Sequence, residues 1–217
     1  MNKKEIKIIR VNTDGRTETN DYVAVEKKIS FKNSKGQIIE LTCSPGYEEE
    51  LITGHIYTET DRKVDIEFGS YKLQEISNKE LLGYAEKVIS IPQELFEATG
   101  CAHSCGLVYN GEIICHMEDI KRHNALDKAV GYAVMNGIPL NDVIVITSGR
   151  ASLDYLEKAA AAGVRAVVSR AAVTDAAVDF AKEKNMTLLG FARNGRANLY
   201  HEGNIKIVYE NSEEISR

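Results

Sequence analysis

The chain has 217 residues, of which 43% are hydrophobic and 27% charged, with a formal net charge of −5. That length can bury a core in one large or two small domains, and the composition excludes a disordered chain, a collagen-like repeat and a disulfide scaffold. The acidic balance argues against a nucleic-acid surface working by bulk charge. No run reaches the roughly 18 apolar residues of a membrane helix, and nothing apolar follows the charged start, so a cytoplasmic protein without signal peptide or membrane partner is expected.

In chain order, residues 6–11, 22–31, 38–43 and 64–68 read as short strands, separated by turn residues such as Asp14-Gly15 and Asn33-Ser34-Lys35-Gly36. Between the last two, Ser44 is placed as an N-cap and Pro45 as the first helical residue. Glu48, Glu49 and Glu50 favour the positive end of a helix running to about Tyr57. Helices are expected over 78–87 and, after Pro92, up to Thr99-Gly100. Strands 104–109 and 112–119 flank Asn110-Gly111, a strong two-residue hairpin signal. Helices 122–135, 152–161 and 175–184 then alternate with strands 143–147, 164–169 and 187–191, the grammar of an α/β layer with parallel pairing. The expected organisation is a β-rich N-terminal domain (1–75), a helical connector (76–98), an α/β domain (99–209) and a polar tail (210–217).

Ligands of open α/β sheets sit beyond the carboxyl ends of the strands. Those ends carry Ser148-Gly149-Arg150, Ser169-Arg170 and Phe191-Ala192-Arg193-Asn194-Gly195-Arg196. Arginine forks bind phosphate, and glycine lets backbone approach a ligand. The repetition at equivalent positions points to a phosphate or pyrophosphate pocket, against the alternative of solvated loop arginines.

The four cysteines are Cys43, Cys101, Cys105 and Cys115. A two-residue turn at Asn110-Gly111 pairs Cys105 with His116 and His103 with Glu118, and puts Cys101, His103, Cys105, His116 and Glu118 on one face. A thiol opposite an imidazole is a candidate nucleophile; the alternative is a cysteine packed as a small hydrophobe. The same face could in principle hold zinc, but the Cys-x-His-x-Cys spacing is unusual and no metal site is expected. At the start of the next helix, His123 and Asp127 stand at i, i+4, as do Asn124 and Lys128, so imidazole and carboxylate can touch.

Taken together, Arg122-His-Asn-Ala-Leu-Asp-Lys128, Thr147-Ser-Gly-Arg150 and Gly190-Phe-Ala-Arg193, preceded by Thr99-Gly-Cys-Ala-His103, resemble the FdhD family of formate dehydrogenase accessory proteins. Cys43-Ser-Pro-Gly46 fits that family's N-terminal part, and the resemblance spans residues 20 to 203. It implies a cytidine-deaminase-like C-terminal domain behind a smaller β-rich α+β domain, in a homodimer. It also implies a sulfurtransferase role. Sulfur would be received as a persulfide from a cysteine desulfurase and passed to the molybdenum bis(guanine dinucleotide) cofactor for formate dehydrogenase or another molybdoenzyme. The family's cofactor segment maps onto Phe191 to Arg196, and Ser148, Gly149, Arg150, Arg122, Asn124 and Lys128 join the expected binding set.

The chain departs from the family in one chemical respect. Members carry Cys-x-x-Cys upstream of the Thr-Gly-x-x-His motif, whereas residues 60–98 here hold no cysteine. Cys101 and Cys105 stand where glycine and alanine are usual, Lys121 replaces a glycine and Val173 a proline. Two readings follow. Either sulfur transfer has moved to Cys101 or Cys105, activated by His103 or His116, or the protein is a non-catalytic module that binds and delivers a guanine-nucleotide-containing cofactor. A zinc deaminase is disfavoured, because the combined pattern of His-x-Glu with Pro-Cys-x-x-Cys is missing.

Overall fold

The computed structural model describes residues 1–59 and 75–209. The strand expected at 64–68 and the tail from 210 lie outside them. Strands β1 (Lys3–Asn12) and β2 (Gly15–Ala24) form an antiparallel ribbon, and β3 (Lys27–Lys32) pairs with β4 (Ile38–Cys43) in a second one. The expected single strand 22–31 is thus two strands, each with its own partner, separated at Val25 and Glu26.

Helix α1 (Glu48–Tyr57) begins later than expected. Tyr47 precedes it in the left-handed region with no side-chain cap, because Ser44 is turned inward: its backbone N–H and hydroxyl donate to Asp119 at 3.0 and 3.1 Å. The short strand β5 (Glu75–Ser77) leads into α2 (Asn78–Ser90), where Ser77 and Glu80 form a capping box. Helix α3 (Glu94–Thr99) ends on Gly100 at φ 64°.

The centre of the molecule is a six-stranded sheet in the order β11-β10-β9-β8-β6-β7. Strands β8 (Ile144–Thr147), β9 (Ala166–Ser169) and β10 (Thr187–Arg193) run parallel. Strand β6 (His103–Tyr109) is antiparallel to β8 and makes a hairpin with β7 (Glu112–Asp119), and β11 (Arg196–His201) folds back on β10. The chain closes with β12 (Lys206–Val208), paired with β5.

Alternation along the strands gives the sheet two apolar faces. Leu107, Val145, Val167 and Leu188 pack under α4 (Arg122–Met135), α5 (Leu153–Ala161) and α6 (Asp175–Glu183). Val108, Ile144, Ile146, Val168 and Leu189 pack with Leu81, Ala85 and Val88 of α2 and with Ile207 of β12. Strands covered on both sides need near-continuous apolar sequence, which is how 143–147 and 164–168 read. Helix α4 is buried almost all round, because α1 covers the side away from the sheet. The two helices touch at glycines: a Cβ on Gly54 would stand 1.7 Å from the Asp127 carbonyl oxygen, and one on Gly131 1.9 Å from that of Glu50. Among the described residues no helix is long and apolar enough to cross a membrane.

Candidate functional site

The carboxyl ends of β8, β9 and β10, the first residue of β6 and the first turns of α4 and α5 share one end of the sheet. Here Gly149 follows β8, its N–H donating to Thr147 Oγ1 at 3.1 Å and its carbonyl accepting from Ser169 Oγ at 2.8 Å. Ser148 Oγ accepts from the Ser104 N–H at 2.8 Å. This clamp holds the 148–149 backbone against α4: a Cβ on Gly149 would lie 3.0 Å from Arg122 Cβ and 3.6 Å from His103 Nδ1. His103 is half-buried, and burial first, then the Arg122 and Arg150 guanidiniums, hold its imidazole below the ordinary histidine range.

Arg150, Arg170, Arg193 and Arg196 are exposed, and among the described residues none has a carboxylate partner. The last two stand directly opposite one another across a two-residue turn, Asn194-Gly195, with both turn residues at positive φ. Like charges so placed repel, and a bound anion would relieve that repulsion. The segment bulges before the turn: Phe191 is at φ 53°, its N–H donates to the Ala171 carbonyl at 2.9 Å, and the Arg193 guanidinium lies 5.9 Å from the ring centroid. Ala192 is buried. Glu86 Oε1 accepts from the Gly195 N–H at 2.6 Å, so α2 steadies the turn. From β6 to β10 the site spans three strand spacings, about 14 Å.

The cysteine geometry differs from expectation. Ile114 is an extra residue on β7, a bulge that shifts the register by one. Cys105 therefore faces Met117, and His116 faces Gly106. Cys105 is fully buried beside the Tyr155 hydroxyl, 3.7 Å away, and burial drives its thiol far above the ordinary range. Burial likewise pushes Cys115 up to about 12 and raises Cys43. His116 points to the α2 side of the sheet, and burial lowers its pKa. Cys101 is the one exposed cysteine of the four. It sits two residues before His103, at the arginine-bearing end, with its N–H donating to Thr99 Oγ1 at 3.1 Å.

The helix-start residues also divide. The expected His123–Asp127 contact is replaced. His123 Nε2 lies 3.0 Å from Asp154 Oδ2, whereas Asp127 is buried and engaged by Thr58 Oγ1 at 2.7 Å, Lys158 Nζ at 2.8 Å and His55 Nδ1 at 3.1 Å. Asn124 and Lys128 face inward too. Asn124 donates to the Thr42 carbonyl and Asp119 Oδ1, both at 2.9 Å, and Lys128 pairs with Asp119 at 2.8 Å and reaches the Ser44 carbonyl at 3.2 Å. These groups fasten α1 and β4 to α4, and their geometry offers no donor to a ligand. Sequence reasoning missed their partners, His55, Thr58, Asp119 and Lys158, since the pairs are 31 to 84 residues apart in sequence except around Asp119. Ser152 and Asp154 were missed although they open α5 at the expected end of a strand. A pocket of about 220 Å³ lined by Glu75, Tyr84, Asn110 and Asp142 opens at the opposite end of the sheet, away from all these groups.

Fold and site together define an α/β protein that gathers exposed arginines at the carboxyl ends of its parallel strands. The chain belongs to the FdhD/NarQ family, whose model matches residues 62–206. It is 34% identical to Protein FdhD of Methanocaldococcus jannaschii, over 93% of this chain and 98% of that protein. It is 29% identical to the sulfur carrier protein FdhD of Bacillus licheniformis, over 89% and 93%. A crystal structure from Desulfotalea psychrophila, described as that of a formate dehydrogenase accessory protein, superimposes with a TM-score of 0.78 at 24% identity, covering 93% of this chain and 97% of that one.

Proposed function

We propose that this protein serves formate dehydrogenase maturation. It holds a guanine-nucleotide-containing molybdenum cofactor, as substrate, across the arginine-bearing strand ends, and carries sulfur for it on Cys101. The observation that carries this reading is the set of exposed arginines, Arg150, Arg170, Arg193 and Arg196, without carboxylate partners among the described residues, on three adjacent strand ends. They suit a ligand with separated phosphates, and the Phe191 ring beside Arg193 suits a base. The names of the relatives, sulfur carrier and formate dehydrogenase accessory protein, support the same role. The hairpin β6–β7 beside parallel β8, β9 and β10 supports the cytidine-deaminase-like reading of residues 99–209.

Burial favours one thiol over the other three. Sulfur exchange needs a thiolate that a partner's persulfide can reach, which leaves Cys101. Its thiolate attacks the outer sulfur of a cysteine desulfurase persulfide; a new S–S bond forms to Cys101 and the desulfurase thiolate leaves. Incubation with a desulfurase and cysteine, followed by intact-mass measurement, is expected to add the mass of one sulfur atom to the wild type and to Cys105→Ala but not to Cys101→Ala. Guanosine diphosphate binding is expected to fall at least tenfold in Arg193→Ala and in Arg196→Ala, the size of one lost charge-assisted contact. Loading that persists in Cys101→Ala overturns the sulfur assignment. Nucleotide binding without any loading leaves a delivery module.

A further inference from the structure

The start of α5 places an acceptor where a ligand would be expected. Ser152 is the N-cap of α5, yet its hydroxyl makes no cap hydrogen bond. It accepts instead from Arg122 Nη2 at 2.8 Å and lies against Asp154 Oδ1. The same carboxylate shares the Tyr155 N–H, at 3.0 Å, with the Ser152 carbonyl at 3.1 Å, stands 3.4 and 3.5 Å from Arg122 Nη2, and lies 3.0 Å from His123 Nε2. The last contact lacks hydrogen-bond geometry, although the imidazole nitrogen is shielded from solvent. Exposure is uneven: the Arg122 and His123 side chains are 17% and 29% exposed, Asp154 60%. Donors set in the protein surface therefore surround an acceptor that stands in solvent.

We infer that Arg122, His123 and Ser152 form a phosphate-class oxyanion subsite, and that Asp154 is its internal competitor, which must swing out before a phosphoryl group enters. Arg122 links this cradle to the proposed cofactor site, because its stem packs on Gly149 beside His103. An anion arriving at either place is felt at the other. The resident carboxylate keeps free phosphate, which brings few contacts of its own, from occupying the cradle. A ligand anchored elsewhere along the strand ends can displace it. The inference deepens the reading of this end as a phosphate-binding site but needs only the cradle.

The test is calorimetric titration of the full chain with inorganic phosphate at fixed ionic strength. Asp154→Asn is expected to bind phosphate about fivefold more tightly than wild type, the amount an exposed ion pair sustains. Asp175→Asn, which removes an equal charge from the first turn of α6 at the same end, should leave affinity unchanged, and adding Arg122→Gln to Asp154→Asn should abolish the gain. Equal affinity in wild type and Asp154→Asn, or an equal gain from Asp175→Asn, overturns the inference. Thermal melts of each variant report folding, and Asp154→Ser offers a second way to remove the carboxylate. A parallel titration with guanosine diphosphate separates the two claims: nucleotide binding without a phosphate gain in Asp154→Asn rejects the competitor alone, and a phosphate gain without nucleotide binding rejects the cofactor reading alone.

Discussion

Burial first, and then the third positive charge that protonation would place beside Arg122 and Arg150, hold the His103 pKa down. His123 is lowered as well, by burial first and against the pull of Asp154. For Asp154 burial opposes ionisation, but the Ser152 hydroxyl, His123 and Arg122 together keep its carboxyl below the usual range. The sign of the linkage follows. Both imidazoles bind fewer protons in the folded state, so their contribution to stability is complete above about pH 6.5 and is lost as the pH falls. A bound anion favours the protonated rings, so affinity should rise as stability declines. Sulfate, which stays a dianion throughout, is expected to bind several-fold more tightly at about pH 5.5 than at about pH 7.5. His103→Gln combined with His123→Gln should flatten that profile. A profile unchanged in the double variant would show that neither ring faces the anion.

Between α1 and α4 the decisive feature is the absence of two side chains. Gly54 and Gly131 let the helix backbones meet, and that approach seats His55 and Thr58 of the α1 end on Asp127. Alanine at Gly54 or Gly131 must push one helix off the other. It is expected to cost about 3 kcal/mol, read as a Tm about 6–12 °C lower. Gly83 in α2 is the contrast. A Cβ there meets nothing within 4 Å, so Gly83→Ala should gain about 0.5–1 kcal/mol from the unfolded state and the helix alike. Equal melting shifts for the three substitutions would disprove the close helix contact. The sequence showed α4 as a helix with the same bounds, but its polar Asn124, Asp127 and Lys128 looked like ligand groups. Only the arrival of α1 and β4 turns them into buried fasteners, since a buried charge must find a partner.

At the scale of the molecule, stability and binding are unevenly spread. No residue of 1–24 is buried, and a two-stranded ribbon that rests mainly on the short α3 adds little. A chain beginning after Ala24 is expected to unfold cooperatively with a Tm within about 4 °C of the full protein, equivalent to ~1 kcal/mol. Loss of a cooperative transition would show that the ribbon supports the sheet. The charge of −5 is likewise an average. It argues against a nucleic-acid surface on bulk grounds while hiding arginines concentrated at one end of the sheet, where the parallel strands finish.

The sequence by itself determined the α/β alternation, helix α4 with its bounds, the Asn110-Gly111 hairpin and the arginines at the strand ends. Each of these depends on local periodicity, turn chemistry or residue type. The second hairpin, Arg193–Arg196 around Asn194-Gly195, was equally local but lay within a segment read as a strand-end loop. Only the tertiary structure decided which cysteine is open. The bulge at Ile114 moved Cys105 from His116 to Met117, and one inserted residue leaves no trace in alternation on either side of it. It also decided that His123 meets Asp154 while Asp127 meets His55 and Lys158. Those pairs are set by how α1 and α5 pack on α4, and helical spacing within α4 alone carries no information about a neighbour's approach.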